Sequence, residues 1–154
     1  MAIYFLETSA LVKRYAQETG TAWIQSLADA SQNNVLYVAQ VAGVEAVAAL
    51  TLRARRGSMT IIDAAGACTD LRRDFVADYF PVQITDALLQ RAMDLIERYG
   101  LRGYDSLQLA SAGEAAAERR AFGLSAPIMV SADVQLNAAA TAEGLTVDNP
   151  NLHP

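Results

Sequence analysis

Four separated acidic residues, Glu7, Glu45, Asp105 and Asp133, are the ones whose type and placement could do chemistry. Glu7 directly follows the apolar, aromatic run Ala2–Leu6, at a point where a helix cap would ordinarily be Ser, Thr or Asp. Glu45 interrupts the apolar segment VAGVEAVAAL, in which an unpaired carboxylate is costly. Asp105 and Asp133 each open a helical pattern, where an acid also serves the helix dipole. Taken singly, each has a structural explanation; their joint placement points to chemistry. Carboxylates gathered together raise one another's pKa unless a cation sits among them. Oxygen-only ligation with room for water suits Mg²⁺ or Mn²⁺. Such an ion can clamp a phosphodiester, acidify an attacking water and stabilise the leaving oxygen.

Composition removes much of the competition. The chain has a single Cys, Cys68, and a single His, His153, too few for a zinc site or a Cys/His pair. Acid–base or metal chemistry therefore falls to carboxylates. The net charge of −5 argues against a broadly basic nucleic-acid face and predicts a local basic rim. All the cations but Lys13 are arginines, whose planar fork suits phosphate. Lys13 and Arg14, about one helical turn after Ser9, are either phosphate contacts or solvated charges of the helix surface. Arg102, just before Asp105, is a candidate for a phosphate or partner contact. Arg53, Arg55 and Arg56 read as the cationic end of a helix. Tyr15, Trp23 and Leu27, at helical spacing, read as core or a partner groove.

The elements that must position these residues follow from periodicity. Short apolar runs at Ala2–Leu6, Val35–Val38, Val82–Thr85, Ile128–Val130 and Leu145–Val147 read as strands buried on both faces. Between them lie helical patterns: one capped by Thr8 or Ser9, one from Gly20-Thr21 through Leu27, then Val41–Arg56 and Ser58 to about Asp78. Asp86–Tyr99, Tyr104–Arg120 and Asp133–Glu143 complete the set. In the fourth of these helices Ser58 is the expected cap. In Val41–Arg56, Val41, Val44, Val47, Ala48 and Leu52 share the expected core face. The alternation predicts an α/β fold with a central parallel sheet between helices. Sites in such sheets form outside the carboxyl ends of the strands, the edge to which Glu7 and Asp133 belong and which helix N-termini also face. One domain over residues 1–150 is expected, followed by a polar tail over 151–154. No apolar stretch approaches the roughly 20 residues that cross a bilayer, and no signal-peptide run is visible, so a cytoplasmic protein is expected.

MAIYFLETSALVKRYAQETGT, VAGVEAVAAL, RGYDSLQLA and MVSADVQLNAAATAEGLTVDNP resemble, in order, the successive motifs of the PIN domain. They are most similar to the VapC-type toxin ribonucleases of bacterial toxin–antitoxin pairs, over about Ala2 to Pro150. The resemblance implies a PIN-like α/β/α sandwich with a central short-stranded parallel sheet. It further implies a Mg²⁺- or Mn²⁺-dependent endoribonuclease acting on RNA, a homodimer and a VapB-like antitoxin partner. By position the family's four acids fall on Glu7, Glu45, Asp105 and Asp133, and its hydroxyl residues near the metal on Ser9 and Ser131. One departure matters: the family's first acid is usually Asp. Glu7 moves the carboxylate by roughly 1.5 Å, one C–C bond, and a misplacement of about 1 Å can cost on the order of 100-fold in rate. An active but slower enzyme is the expectation; a binding module that captures an antitoxin and cleaves poorly is the alternative. A dinucleotide-binding domain lacks its glycine-rich turn here. A phospho-receiver domain lacks its paired acids after the first strand and its late lysine.

Overall fold

The computed structural model describes residues 1–154. Five strands, β1 (Ile3–Leu6), β2 (Val35–Ala39), β3 (Tyr79–Val82), β4 (Ile128–Val130) and β5 (Val147–Asp148), form one sheet in the order β3-β2-β1-β4-β5. Every pairing is parallel. The strand order reverses at β1: the chain steps outward through β2 and β3, then returns to lay β4 against the other side of β1. With right-handed crossovers, this reversal puts the helices before β3 and those after it on opposite faces. The first group is α1 (Thr8–Leu11), α2 (Thr21–Leu27), α3 (Ala42–Arg55) and α4 (Ile61–Ala77). The second is α5 (Asp86–Tyr99), α6 (Gly103–Ala121) and α7 (Val134–Ala142). The predicted α/β/α sandwich with a short-stranded parallel sheet is what the chain forms.

Between the layers lies one continuous core, in which Phe5, Leu6, Leu11, Ile24, Leu50, Leu71, Leu95, Leu109, Met129 and Leu136 are fully buried. In α6, Ala110, Ala112, Ala115 and Ala116 are buried together. Small side chains there allow the helix to lie close to the sheet and to α5, as its alanine-rich sequence suggests.

Four local expectations are corrected. The third strand is Tyr79–Val82, not Val82–Thr85, with Pro81 inside it. As an edge strand beside β2, it tolerates a residue without an N–H. Helix α4 starts at Ile61 and is capped by Thr60, whose Oγ1 accepts from Asp63 N at 3.0 Å, not by Ser58. Helix α3 buries Ala42, Ala46 and Leu50, whereas Val44 is 67% and Leu52 43% exposed. Both of its faces are apolar, and close packing selects the small one. Finally, the last strand is Val147–Asp148, and the segment after it is docked rather than loose. Pro150–Leu152 form a 3₁₀ turn, and the His153 ring stacks on Trp23 with centroids 3.9 Å apart.

The docked segment explains one glycine. Gly20, at the N-cap of α2, has φ +87°, and a Cβ built on it would lie 2.2 Å from the Pro150 carbonyl oxygen. Gly20→Ala is therefore expected to destabilise the fold by about 2–5 kcal/mol, combining left-handed strain with overpacking. Urea unfolding measures it, and a loss under 1 kcal/mol would show that the C-terminal segment does not pack there.

Candidate active site

The strand order reverses between β1 and β4, and the crevice outside the carboxyl ends of strands at such a switch point is where open α/β sheets bind ligands. Glu7 leaves β1 and Asp133 comes after β4, separated from it by Ser131 and Ala132. Glu7 N donates to the Val130 carbonyl at 3.0 Å, tying the two strand ends together.

Glu7 is 5% exposed. It is also the N-cap of α1: its Oε2 accepts from Ser9 N at 3.0 Å and from Ser9 Oγ. Neither Thr8 nor Ser9 is the cap, so that expectation is corrected; the longer acid does the capping. Burial pushes the Glu7 carboxyl up to about 6, against the opposing hydrogen bonds of Ser9 and Ser131, with Glu45 adding a smaller rise. Ser9 Oγ in turn accepts from Ala132 N at 2.9 Å, and Ser131 Oγ from Asp133 N at 3.1 Å. Ser131 is fully buried. The two hydroxyls thus form a polar seam between the first and the last acid.

Asp133 caps α7, its Oδ1 accepting from Leu136 N at 2.9 Å. The capping explanation weighed against chemistry therefore holds for one oxygen of this carboxylate, and the second is left for another partner.

Glu45 lies in the first turn of α3. Its Oε1 accepts from Thr8 Oγ1 at 3.1 Å and from Gln108 Nε2 at 2.6 Å, while Gln108 Nε2 also reaches Thr8 Oγ1 at 2.8 Å. Burial raises the Glu45 pKa, opposed by these hydrogen bonds, and Asp105 raises it further. Gln108 is fully buried, and its Oε1 has no hydrogen-bond partner. Sequence reasoning read Thr8 only as a helix cap and passed over Gln108. The only available signal for Gln108 was a glutamine between Leu107 and Leu109 in an alanine-rich helix.

Asp105 lies in the first turn of α6. Arg102 Nε donates to its Oδ2 at 2.8 Å, and Arg102 Nη2 lies 3.5 Å from Asp133 Oδ2. All four acids thus belong to one electrostatic neighbourhood: Glu45 acts on Glu7, Asp105 on Glu45, and Arg102 bridges Asp105 to Asp133. They are gathered but not caged. No three His, Cys, Asp or Glu side chains stand close enough together to hold a metal ion as they are placed. The donor chemistry fits a hard divalent cation, since the set is oxygen-only and includes a buried carboxylate held above its ordinary range.

Two other candidates are corrected by their surroundings. Lys13 is buried, and its ammonium lies 3.1 Å from Glu18 Oε2. Arg14 is committed to Asp78 at 2.7 Å, Asp74 at 3.2 Å and the Tyr79 hydroxyl at 2.8 Å. Tyr15 joins the same network, its hydroxyl 3.0 Å from Asp74 Oδ2. Neither cation is free to meet phosphate; both hold elements together. Arg53 is likewise paired with Glu18.

No family model matches the chain, but individual proteins do. It is 31% identical, over 154 residues and the whole of both chains, to Ribonuclease VapC45 of Mycobacterium tuberculosis (strain CDC 1551 / Oshkosh). The same identity and coverage hold for Ribonuclease VapC49 of Mycobacterium tuberculosis (strain ATCC 25618 / H37Rv). Among solved structures, it is similar in fold to a chain of VapBC2 from Rickettsia felis bound to a DNA fragment from their promoter. There the TM-score is 0.60 at 14% identity, covering 96% of this chain and 98% of the other.

Proposed function

The chain belongs to the VapC ribonucleases, and from that membership we propose that it is a divalent-metal-dependent endoribonuclease, the toxin of a toxin–antitoxin pair. The observation that carries this reading is the gathering of Glu7, Glu45, Asp105 and Asp133 at the β1/β4 crevice, from four separate stretches of chain. These four are the residues that would hold Mg²⁺ or Mn²⁺. When bound, such an ion supplies a Lewis acid for a phosphoryl oxygen and makes a water nucleophilic near neutral pH. The chain's own groups supply placement. Ser9 and Ser131 orient Glu7, while Thr8 and Gln108 fix one oxygen of Glu45 and leave the other directed elsewhere.

A VapB-like antitoxin and a second copy of the chain are the proposed protein partners. Exposed apolar side chains on α3 and α4 support contact with a partner: Val44 is 67%, Ile61 78%, Ile62 84% and Val76 88% exposed. No helix is long and apolar enough to cross a membrane.

The test is cleavage of RNA by the purified chain with Mn²⁺ or Mg²⁺, against a chelator control. Cleavage that requires the ion is expected; cleavage that survives the chelator contradicts the proposal. The second reading, a binding module that captures an antitoxin without cutting, is favoured by the absence of any three acids at ligating distance. It would show as no cleavage under either condition together with antitoxin binding.

Gln108 offers a check on placement. Gln108→Leu keeps the side-chain volume but removes the donor to Glu45 and Thr8. Loss of such a supporting hydrogen bond typically weakens metal affinity about 10–100-fold. Calorimetric Mn²⁺ titration is expected to show this with little change in unfolding temperature; unchanged affinity would make Gln108 a packing residue only.

A further inference from the structure

Arg102 stands where helix chemistry disfavours it. It is the N-cap of α6 and makes no side-chain capping hydrogen bond. Ser, Thr, Asp and Asn are the residues favoured there, and a cation meets the positive end of the helix dipole. Its side chain is 81% exposed, yet it is held across two elements by Asp105 at 2.8 Å and by Asp133 at 3.5 Å. Its charge is also felt by Glu7 and Glu45. A single guanidinium therefore bridges the third and fourth acids, from two separate elements, and a cation among gathered carboxylates relieves their repulsion.

An exposed arginine gains little from one surface ion pair and loses rotamer freedom in making it. Here two carboxylates from separate elements hold it at once. Nothing in the core anchors the head group, so it can swing outward without breaking packing. The same placement accounts for acids that are gathered but not at ligating distance. We infer that Arg102 is a displaceable counter-cation: it neutralises the acid cluster in the metal-free protein and must release Asp105 and Asp133 before a divalent ion can bind. This rests on the metal reading above. It adds that the chain carries its own competitor for the site, so that loading needs more metal than the four acids alone would require.

The experiment is calorimetric Mn²⁺ titration of the full chain without RNA, for the wild type, Arg102→Gln, Arg102→Lys and Asp105→Asn. If the competent, arginine-out state is a minor one, removing the competitor raises apparent affinity by the reciprocal of its population. Arg102→Gln is expected to bind Mn²⁺ roughly 3–10-fold more tightly. Arg102→Lys should fall between it and the wild type, and Asp105→Asn should bind weakly. In chelator, Arg102→Gln should unfold at a lower temperature than the wild type and gain more from added Mn²⁺. Equal or weaker binding by Arg102→Gln, with the wild type binding and Asp105→Asn not, overturns the inference and leaves the metal reading standing. If the wild type binds no Mn²⁺ at all, the metal reading falls, and this inference with it.

Discussion

Asp105→Asn is expected to lower RNA cleavage on the order of 1000-fold while leaving the fold intact. A metal ligand supplies several kcal/mol of transition-state charge stabilisation, and each 1.36 kcal/mol, roughly, is tenfold in rate. Asp105 lies in the first turn of α6, its side chain 18% exposed and paired with Arg102. Asparagine keeps the shape and removes the charge, so no core contact is lost. Single-turnover cleavage of a labelled RNA measures the effect, with circular dichroism as the control for folding. Activity above a tenth of wild type would place Asp105 outside the machinery.

Glu7→Gln is expected to abolish cleavage and, in the absence of metal, to stabilise the protein. Burial raises the Glu7 carboxyl from 4.5 to about 6, so the fold prefers its protonated form. The charged form carries no penalty below the unfolded value near 4.5, where the group is neutral in both states. As pH rises through about 6 the penalty grows, and it levels off above that. At about 1.36 kcal/mol per unit, the penalty approaches roughly 2 kcal/mol at pH 7.5. Glutamine keeps an acceptor for the Ser9 amide without the charge. In chelator at pH 7.5 the variant should therefore melt about 4–8 °C above wild type for a chain of this length. That margin should vanish near pH 4.5, and added Mn²⁺ should stabilise the wild type only. A variant less stable than wild type at pH 7.5 in chelator would show that Glu7 is not held in the fold against its charge.

Glu7 also shows how far the candidate site was legible in the sequence. It and Asp133 were readable because each comes after an apolar run too short for a helix, and the strands of a parallel sheet deliver their next residues to a common edge. Glu45 was readable as an acid that its apolar neighbours could not excuse. The faces of α3 were not, because Val44 and Leu52 repeat with the same period as Ala42, Ala46 and Leu50, and periodicity alone does not say which set turns inward. The surroundings of Lys13 and Arg14 were not legible for a different reason. Their partners Glu18, Asp74 and Asp78 are supplied by folding, and a cation's availability is a property of its surroundings. Gln108 meets Thr8 across 100 positions of sequence, a contact that no local pattern encodes. The position of Arg102 before Asp105 was visible, but its reach to Asp133 belongs to the tertiary structure.

The most direct test is a crystal soaked in Mn²⁺ and measured at a wavelength where manganese scatters anomalously. The expected result is a manganese peak bounded by the carboxylates of Glu7, Glu45, Asp105 and Asp133, with the Arg102 guanidinium moved off Asp105. Manganese bound only at other acids of the surface, in crystals of a protein that cleaves RNA, would contradict the account.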